Sequence, residues 1–157
     1  LDVPTARQRL TGYERALEEA GIPVHGELVK AGSFHREHAI EDATDLIRAK
    51  PAPTAIFAAN NILAEASLMA LAALGMTVPS DMSLVAFDDV QWMGMVDPPV
   101  TTVRQPAADM ARSAAELMLR RLQEDGEGPP STVVFRTELL ERGSVAPMSK
   151  ERAGSTR

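Results

Sequence analysis

The segment from Thr54 to Phe87, TAIFAANNILAEASLMALAALGMTVPSDMSLVAF, constrains the chain most: two apolar runs of strand length flank a helix-length apolar stretch and a turn. TAIFAA is apolar at almost every position, which suits a strand covered on both faces, as strands of parallel sheets are. The stretch between the runs, roughly Ile62 to Leu74, stops at Gly75, a residue suited to a left-handed helix end. Strand, helix, strand in this order predicts a parallel βαβ unit.

The flanks extend the alternation. From Thr5 to Gly21, Leu10, Tyr13, Leu17 and Ala20 recur at helical spacing, with Thr5 a candidate cap and Gly21 a candidate stop. HGELVKAG, 25–32, reads as a short strand. A helix over 36–50 follows, with Ala39, Ile40, Ala43, Leu46 and Ile47 on one face and Pro51 and Pro53 ending it. After MSLVAF, TTVRQ is a short strand, and Pro106 opens a helix striped by Met110, Ala114, Leu117, Met118 and Leu122 and ending near Asp125. EDGEGPPS is a polar turn, TVVFRTELLERGSV reads as a pair of short strands or one interrupted strand, and 148–157 reads as a disordered tail. The expected fold is α/β, a doubly wound parallel sheet.

Composition excludes several functions. A chain of 157 residues that is 45% hydrophobic can bury a core, but its net charge of -6 gives no electrostatic footprint for nucleic acid or an anionic membrane. With no cysteine there is no disulfide framework or thiolate metal site, which fits a cytoplasmic protein. The apolar stretch Ile62 to Met76 is broken by Glu65 and Ser67 and is too short to span a bilayer, so no membrane partner is expected. The N-terminus has no signal pattern, but Leu1 is no natural start, which leaves room for either a signal or a whole domain upstream.

In an open α/β sheet ligands collect beyond the carboxyl ends of the strands. The residues just past the expected strands are Ser33 and Phe34, Asn60 and Asn61, Asp88 and Asp89, and Gln105, with Arg7 and Arg9 opening the first helix. Carboxylates accept from paired hydroxyls, a guanidinium donates to ring oxygens, and an aromatic plate covers C–H groups, so the set suits a polyhydroxylated ligand. Each residue also has a plainer reading: Asn61 and Asp89 as helix caps, Phe34 as core. Adjacent Asp88 and Asp89 diverge in a strand or loop and make a poor acid/base pair, and no phosphate loop or nucleophile elbow occurs, so catalysis is not expected. His35 and His38 lack a third metal ligand, so neither metal nor cofactor is expected. The helix ILAEASLMALAAL and the loop QWMGMV are too apolar for a solvated surface. They predict either a subunit interface or burial within the domain.

Several patterns match one family: ARQRLTGYERALEEAGI, PTAIFAANNILAEASLMALAALGMTVPSDMSLVAFDD, PPVTTVRQP before a helix, and the closing LLERGSVA. Over residues 2 to 146 the chain resembles the sensor region of the lac repressor family of transcriptional regulators (LacI/GalR type). That sensor has the type I periplasmic-binding-protein-like, Rossmann-like fold: two α/β subdomains with an effector between them, behind a helix-turn-helix headpiece. The resemblance implies that 1–147 is the C-terminal part of the sensor and an incomplete fold, the headpiece being absent. Residues 6–100 and 131–147 would form the C-terminal subdomain, and the crossover strand and helix over 101–124 would belong to the N-terminal one. Without that half, the stripe from Met110 to Met118 should be exposed or covered by another chain.

The resemblance also implies effector contacts from Arg9, Asp88, Phe34, Asn60 and Gln105, with Thr5 a weaker match. At Asn61 this chain departs from the frequent Asp. A homodimer would form through Ala64, Glu65, Leu68, Trp92, Met95 and Val96. The effector would be a sugar first and a purine second, and operator DNA would be met only through the missing headpiece. The alternatives are a periplasmic sugar-binding protein of a transporter and an enzyme acting at Asp88 and Asp89.

Overall fold

A computed structural model of the chain describes residues 3–31, 36–123 and 130–147. The expected tail 148–157, the turn 124–129 and the segment containing Phe34 and His35 lie outside the described residues. Four helices and four strands are used below. Helices α1 (Pro4–Glu19), α2 (Arg36–Ile47), α3 (Asn61–Ala73) and α4 (Ala107–Gln123) accompany strands β1 (Ala55–Ala58), β2 (Ser83–Phe87), β3 (Thr101–Arg104) and β4 (Glu138–Leu140). The sheet order is β1-β2-β3-β4, with β1, β2 and β3 parallel and β4 antiparallel to β3.

The expected βαβ unit forms as β1-α3-β2. Helix α3 lies on both strands and packs along α2. Its buried residues, Ala64, Ala66, Ser67, Ala70 and Leu71, run round more than one side because sheet and α2 enclose it together. The small side chains let the elements approach closely, and Leu71, Leu84, Met82, Met93 and Val100 fill the volume between them. Helix ends follow local chemistry. Gly21 and Gly75 sit at φ 68° and 67°, the left-handed stops their positions predict.

Four expectations differ from the structure. Of the expected strand 25–32, the described residues 25–31 do not pair as a strand: Leu28 N–H donates to His25 O (2.9 Å) and Val29 N–H to Gly26 O (3.1 Å), closing a short 3-10 turn. With Leu28 and Val29 the only consecutive apolar pair, the run has little to bury on a sheet face, and the local turn satisfies its backbone instead. Strand β1 is sealed on one face only, Ile56 and Ala58 buried and Ala55 and Phe57 not, because α1 stands off the other face and buries no residue. Thr5 does not cap α1. The helix starts at Pro4 with Val3 as its N-cap, Pro supplying the pre-set φ of a first turn.

The fourth difference concerns 101–104, which the resemblance assigns to the other subdomain. This strand lies within the sheet, Val85 opposite Thr101 and Phe87 opposite Val103, with Leu139 bonded across from Val103 on its far side. Helix α4 buries none of its residues, and Met118 and Leu122 are 61% and 72% exposed. Its apolar stripe has no cover among the described residues.

Candidate functional site

The parallel register builds the site. Ala58 lies opposite Ala86, and Ala86 opposite Thr102, so the residues that follow them emerge side by side at the carboxyl end of the sheet. They include Asn60, Asp88 and Gln105. Helix α1 crosses above this edge and brings Thr5 and Arg9.

Arg9 is held twice. Its guanidinium donates to the carbonyl of Ala59 (2.5 Å) and lies 3.7 Å from the centroid of the Phe87 ring. The ring face attracts the cation while leaving the remaining donors of the fork uncommitted to it. Clefts open on both sides. One of about 610 Å³ runs between α1, α2, β1 and the start of α3, and Thr5, Arg9 and Asn60 line it. The other, of about 580 Å³, lies between α1 and the strands, lined by Thr5, Arg9, Phe57, Phe87, Val103 and Gln105. Apolar walls with a few convergent polar groups are the usual composition of a small-molecule site.

Asn60 caps α3. Its Oδ1 accepts from Leu63 N–H at 2.8 Å from an extended backbone, so the cap falls one residue earlier than Asn61, the position read from sequence. The cap engages only the oxygen, and among the described residues no bond uses the amide nitrogen. Asp88 is the one described non-glycine residue with positive φ, 74°, a conformation that costs about 1 kcal/mol or more unless its surroundings impose it. Its N–H donates to Val103 O (3.0 Å), and its Oδ1 accepts from Gln105 Nε2 (2.5 Å). Asp88 joins the site through Gln105 and does not line either cleft.

Asp89 turns the opposite way. Both its oxygens accept from Arg142, Oδ1 from Nη1 at 2.7 Å and Oδ2 from Nη2 at 3.2 Å, and Oδ1 also accepts from Thr102 Oγ1 at 3.0 Å. Its side chain is only 13% exposed. The Arg142 hydrogen bond is the main cause that holds the Asp89 carboxyl below its usual 3.8, against the opposing effect of burial, with Thr102 and the charges of Arg142 and Arg104 adding to it. A carboxylate whose folded pKa is depressed stabilises the fold fully above its unfolded value, and that stability is lost as pH falls through the folded one. Asp89→Asn should therefore cost stability at neutral pH, by an amount that shrinks as the pH is taken from neutral to below the usual carboxylate range in urea titrations. A constant difference over that range would contradict this.

The sequence reading placed Asn60, Asp88 and Gln105 just past strands and Arg9 at the start of the first helix, with Thr5 beside it through the resemblance; in the structure Thr5 and Arg9 of α1 lie over the same sheet edge as the other three. Phe34 lies outside the described residues. Three participants were missed: Phe57, Phe87 and Arg142. Phe87 was legible, since period-two alternation from Val85 puts it on the α1 side of β2 beside Phe57. Arg142 was not, because its partner is 53 residues away and no local pattern links them. Among the described residues no group of three or more His, Cys, Asp or Glu could hold a metal ion.

Of the residues considered for a subunit contact, Ala64 is 0% exposed, enclosed by the chain's own core, and has no side-chain surface left for a partner. Glu65 is ion-paired with Arg36 across α2 and α3. Leu68, Trp92 and Val96 pack partly on the core, whereas Met95 is 75% exposed.

The chain is thus an α/β domain with a mostly parallel sheet, whose strand ends gather a guanidinium, amides and a carboxylate beside open clefts. The chain belongs to the periplasmic binding protein-like domain family, whose model matches residues 2–145, and its relatives there are LacI-family transcriptional repressors. A probable opine utilization operon repressor of Rhizobium rhizogenes is 31% identical over 150 residues, covering 96% of this chain and 76% of that protein. The transcriptional repressor PurR of Actinobacillus pleuropneumoniae serotype 3 is 33% identical over 146 residues, covering 92% and 44%. Among solved structures, a complex of the transcriptional regulator CelR with cellobiose matches with a TM-score of 0.79 and 34% identity, covering 87% of this chain and 41% of that one. The chain spans less than half the length of the last two. No helix among the described residues is long and apolar enough to cross a membrane.

Proposed function

We propose that this chain is the effector-sensing and dimerisation part of a cytoplasmic, DNA-binding transcriptional regulator, with no catalytic activity of its own. The observation that carries the reading is the convergence of Arg9, Asn60, Gln105 and Asp88 at the carboxyl ends of three parallel strands, beside clefts large enough for a sugar or a purine. Arg9 supplies a fixed donor, Asp88 a fixed carboxylate that joins the site through Gln105, and Phe57 and Phe87 supply apolar faces for ring C–H groups. The CelR relative binds cellobiose, which favours a sugar for this chain as well.

Regulation requires the effector to prefer one conformation of the parent protein; equal affinity for both would shift nothing. The open side of the clefts and the bare stripe of α4 suit a second α/β subdomain that completes the pocket, with 101–104 rooted in this sheet and 107–123 reaching toward the other half. Trp92, Met95 and Val96, together with Leu68 and Glu65 of α3, are the residues this reading assigns to a second copy. The coding sequence upstream of Leu1 separates this reading from a transporter's binding protein. A basic helix-turn-helix segment is expected there, and a secretion signal would overturn the regulator reading.

A further inference from the structure

The two neighbouring aspartates face different partners, and the way they are joined assigns a role to Arg142. Asp88 holds a left-handed backbone, which aspartate reaches more readily than most L-residues but which still has to be offset by its surroundings. On one side its N–H is tied to Val103 O at 3.0 Å. On the other, the next residue is locked by a bidentate fork from Arg142, the geometry in which guanidinium and carboxylate bind most directionally.

Arg142 is itself immobilised. Its Nη1 also donates to Val100 O (2.9 Å), and its backbone N–H donates to Thr101 Oγ1 (3.0 Å), so it grips the start of β3 as well as the loop after β2. Two residues on, buried Ser144 accepts from Thr101 N–H (2.7 Å) and donates to Leu84 O (2.5 Å), stitching the same C-terminal segment to β2 and β3. Gln105 leaves β3 and meets Asp88 at 2.5 Å. The segment after β4 thus fixes both strands whose ends carry that contact.

We propose that Arg142 is a positioning residue for the effector site: by clamping Asp89 to the start of β3 it sets the angle at which Asp88 meets Gln105. Arg142 touches neither Asp88 nor a cleft and acts through Asp89. The role rests on the reading of Asp88 as effector-facing, but its test needs no effector.

The test is NMR on this chain, following the Gln105 side-chain amide. In the native chain one Nε2 proton should be shifted downfield and protected by the Asp88 carboxylate. Arg142→Met should move it to the position of a solvated amide and speed its exchange with water by about tenfold. Arg142→Lys keeps the charge but loses the fork, and should retain part of the shift. Ile47→Val, in α2 and away from the clamp, should lower the melting temperature and leave the resonance in place, which separates positioning from general loss of stability. If Arg142→Met does not fold, Asp89→Asn and Arg142→Lys carry the comparison. A Gln105 resonance unmoved in the folded variants of the clamp would overturn the proposal. A complete sensor that bound no sugar or purine would instead overturn the effector reading and leave this geometry standing.

Discussion

Arg9→Ala or Asp88→Ala in the full-length regulator should abolish the response to effector while leaving operator binding intact. In the proposed site Arg9→Ala removes a charge-assisted contact with the ligand and Asp88→Ala removes the carboxylate that orients Gln105 beside it; a contact of that kind is worth about 2–3 kcal/mol, so effector affinity should fall roughly 30- to 150-fold. Operator binding should survive because neither residue lies in a DNA-binding segment. The variants differ in their side effects. Arg9 also anchors α1 to Ala59 and Phe87, so its loss should loosen the first helix, which buries nothing of its own. Asp88→Asn is the cleaner substitution, since asparagine tolerates the left-handed backbone and its amide oxygen can still accept from Gln105. A loss of response in Asp88→Asn would therefore isolate the charge. Anisotropy of labelled operator, with and without effector, measures both properties, and normal induction in all three variants would sink the site assignment.

Leu71→Ala should be among the most destabilising single substitutions in the chain, costing about 2–5 kcal/mol. Leu71 is 1% exposed in α3 and belongs to the cluster shared with α2 and the strands. Few elements share the load, because α1 and α4 bury none of their residues and the core is concentrated in α2, α3, β1 to β3 and the loop carrying Met93. Against a typical total of about 5–15 kcal/mol, such a loss is large, and it should lower the melting temperature by about 5–15 °C. Met69 lies on the outer side of the same helix. Met69→Ala should change stability by no more than about 0.5 kcal/mol, and equal losses at the two positions would contradict the packing described.

The βαβ core was readable because its signals are local: apolar runs of strand length, a helix-length segment between them, and glycines where left-handed stops fall. The clustering of the candidate residues was readable for a related reason, since a parallel sheet brings the residues after its strands together whatever lies between. What escaped depended on competition or distance. At 25–32, two apolar residues did not outweigh a local turn. TAIFAA looked covered on both faces because composition cannot report that α1 stands away from Phe57. Ala64 is small and apolar like a contact residue, yet only the packing of α2 over α3 shows that the chain consumes it. The fork between Arg142 and Asp89 joins residues far apart in sequence and gives no periodic signal at either end.

The central claim is that a small polar effector is held at the strand ends by Arg9 and Asp88. Calorimetric titration of the complete sensor domain with a panel of sugars and purines tests it most directly, comparing the native protein with Asp88→Asn. The expected result is saturable binding of one chemical class, weakened at least tenfold in the variant, whose melting temperature stays close to native. Binding of equal strength in both proteins would contradict the claim.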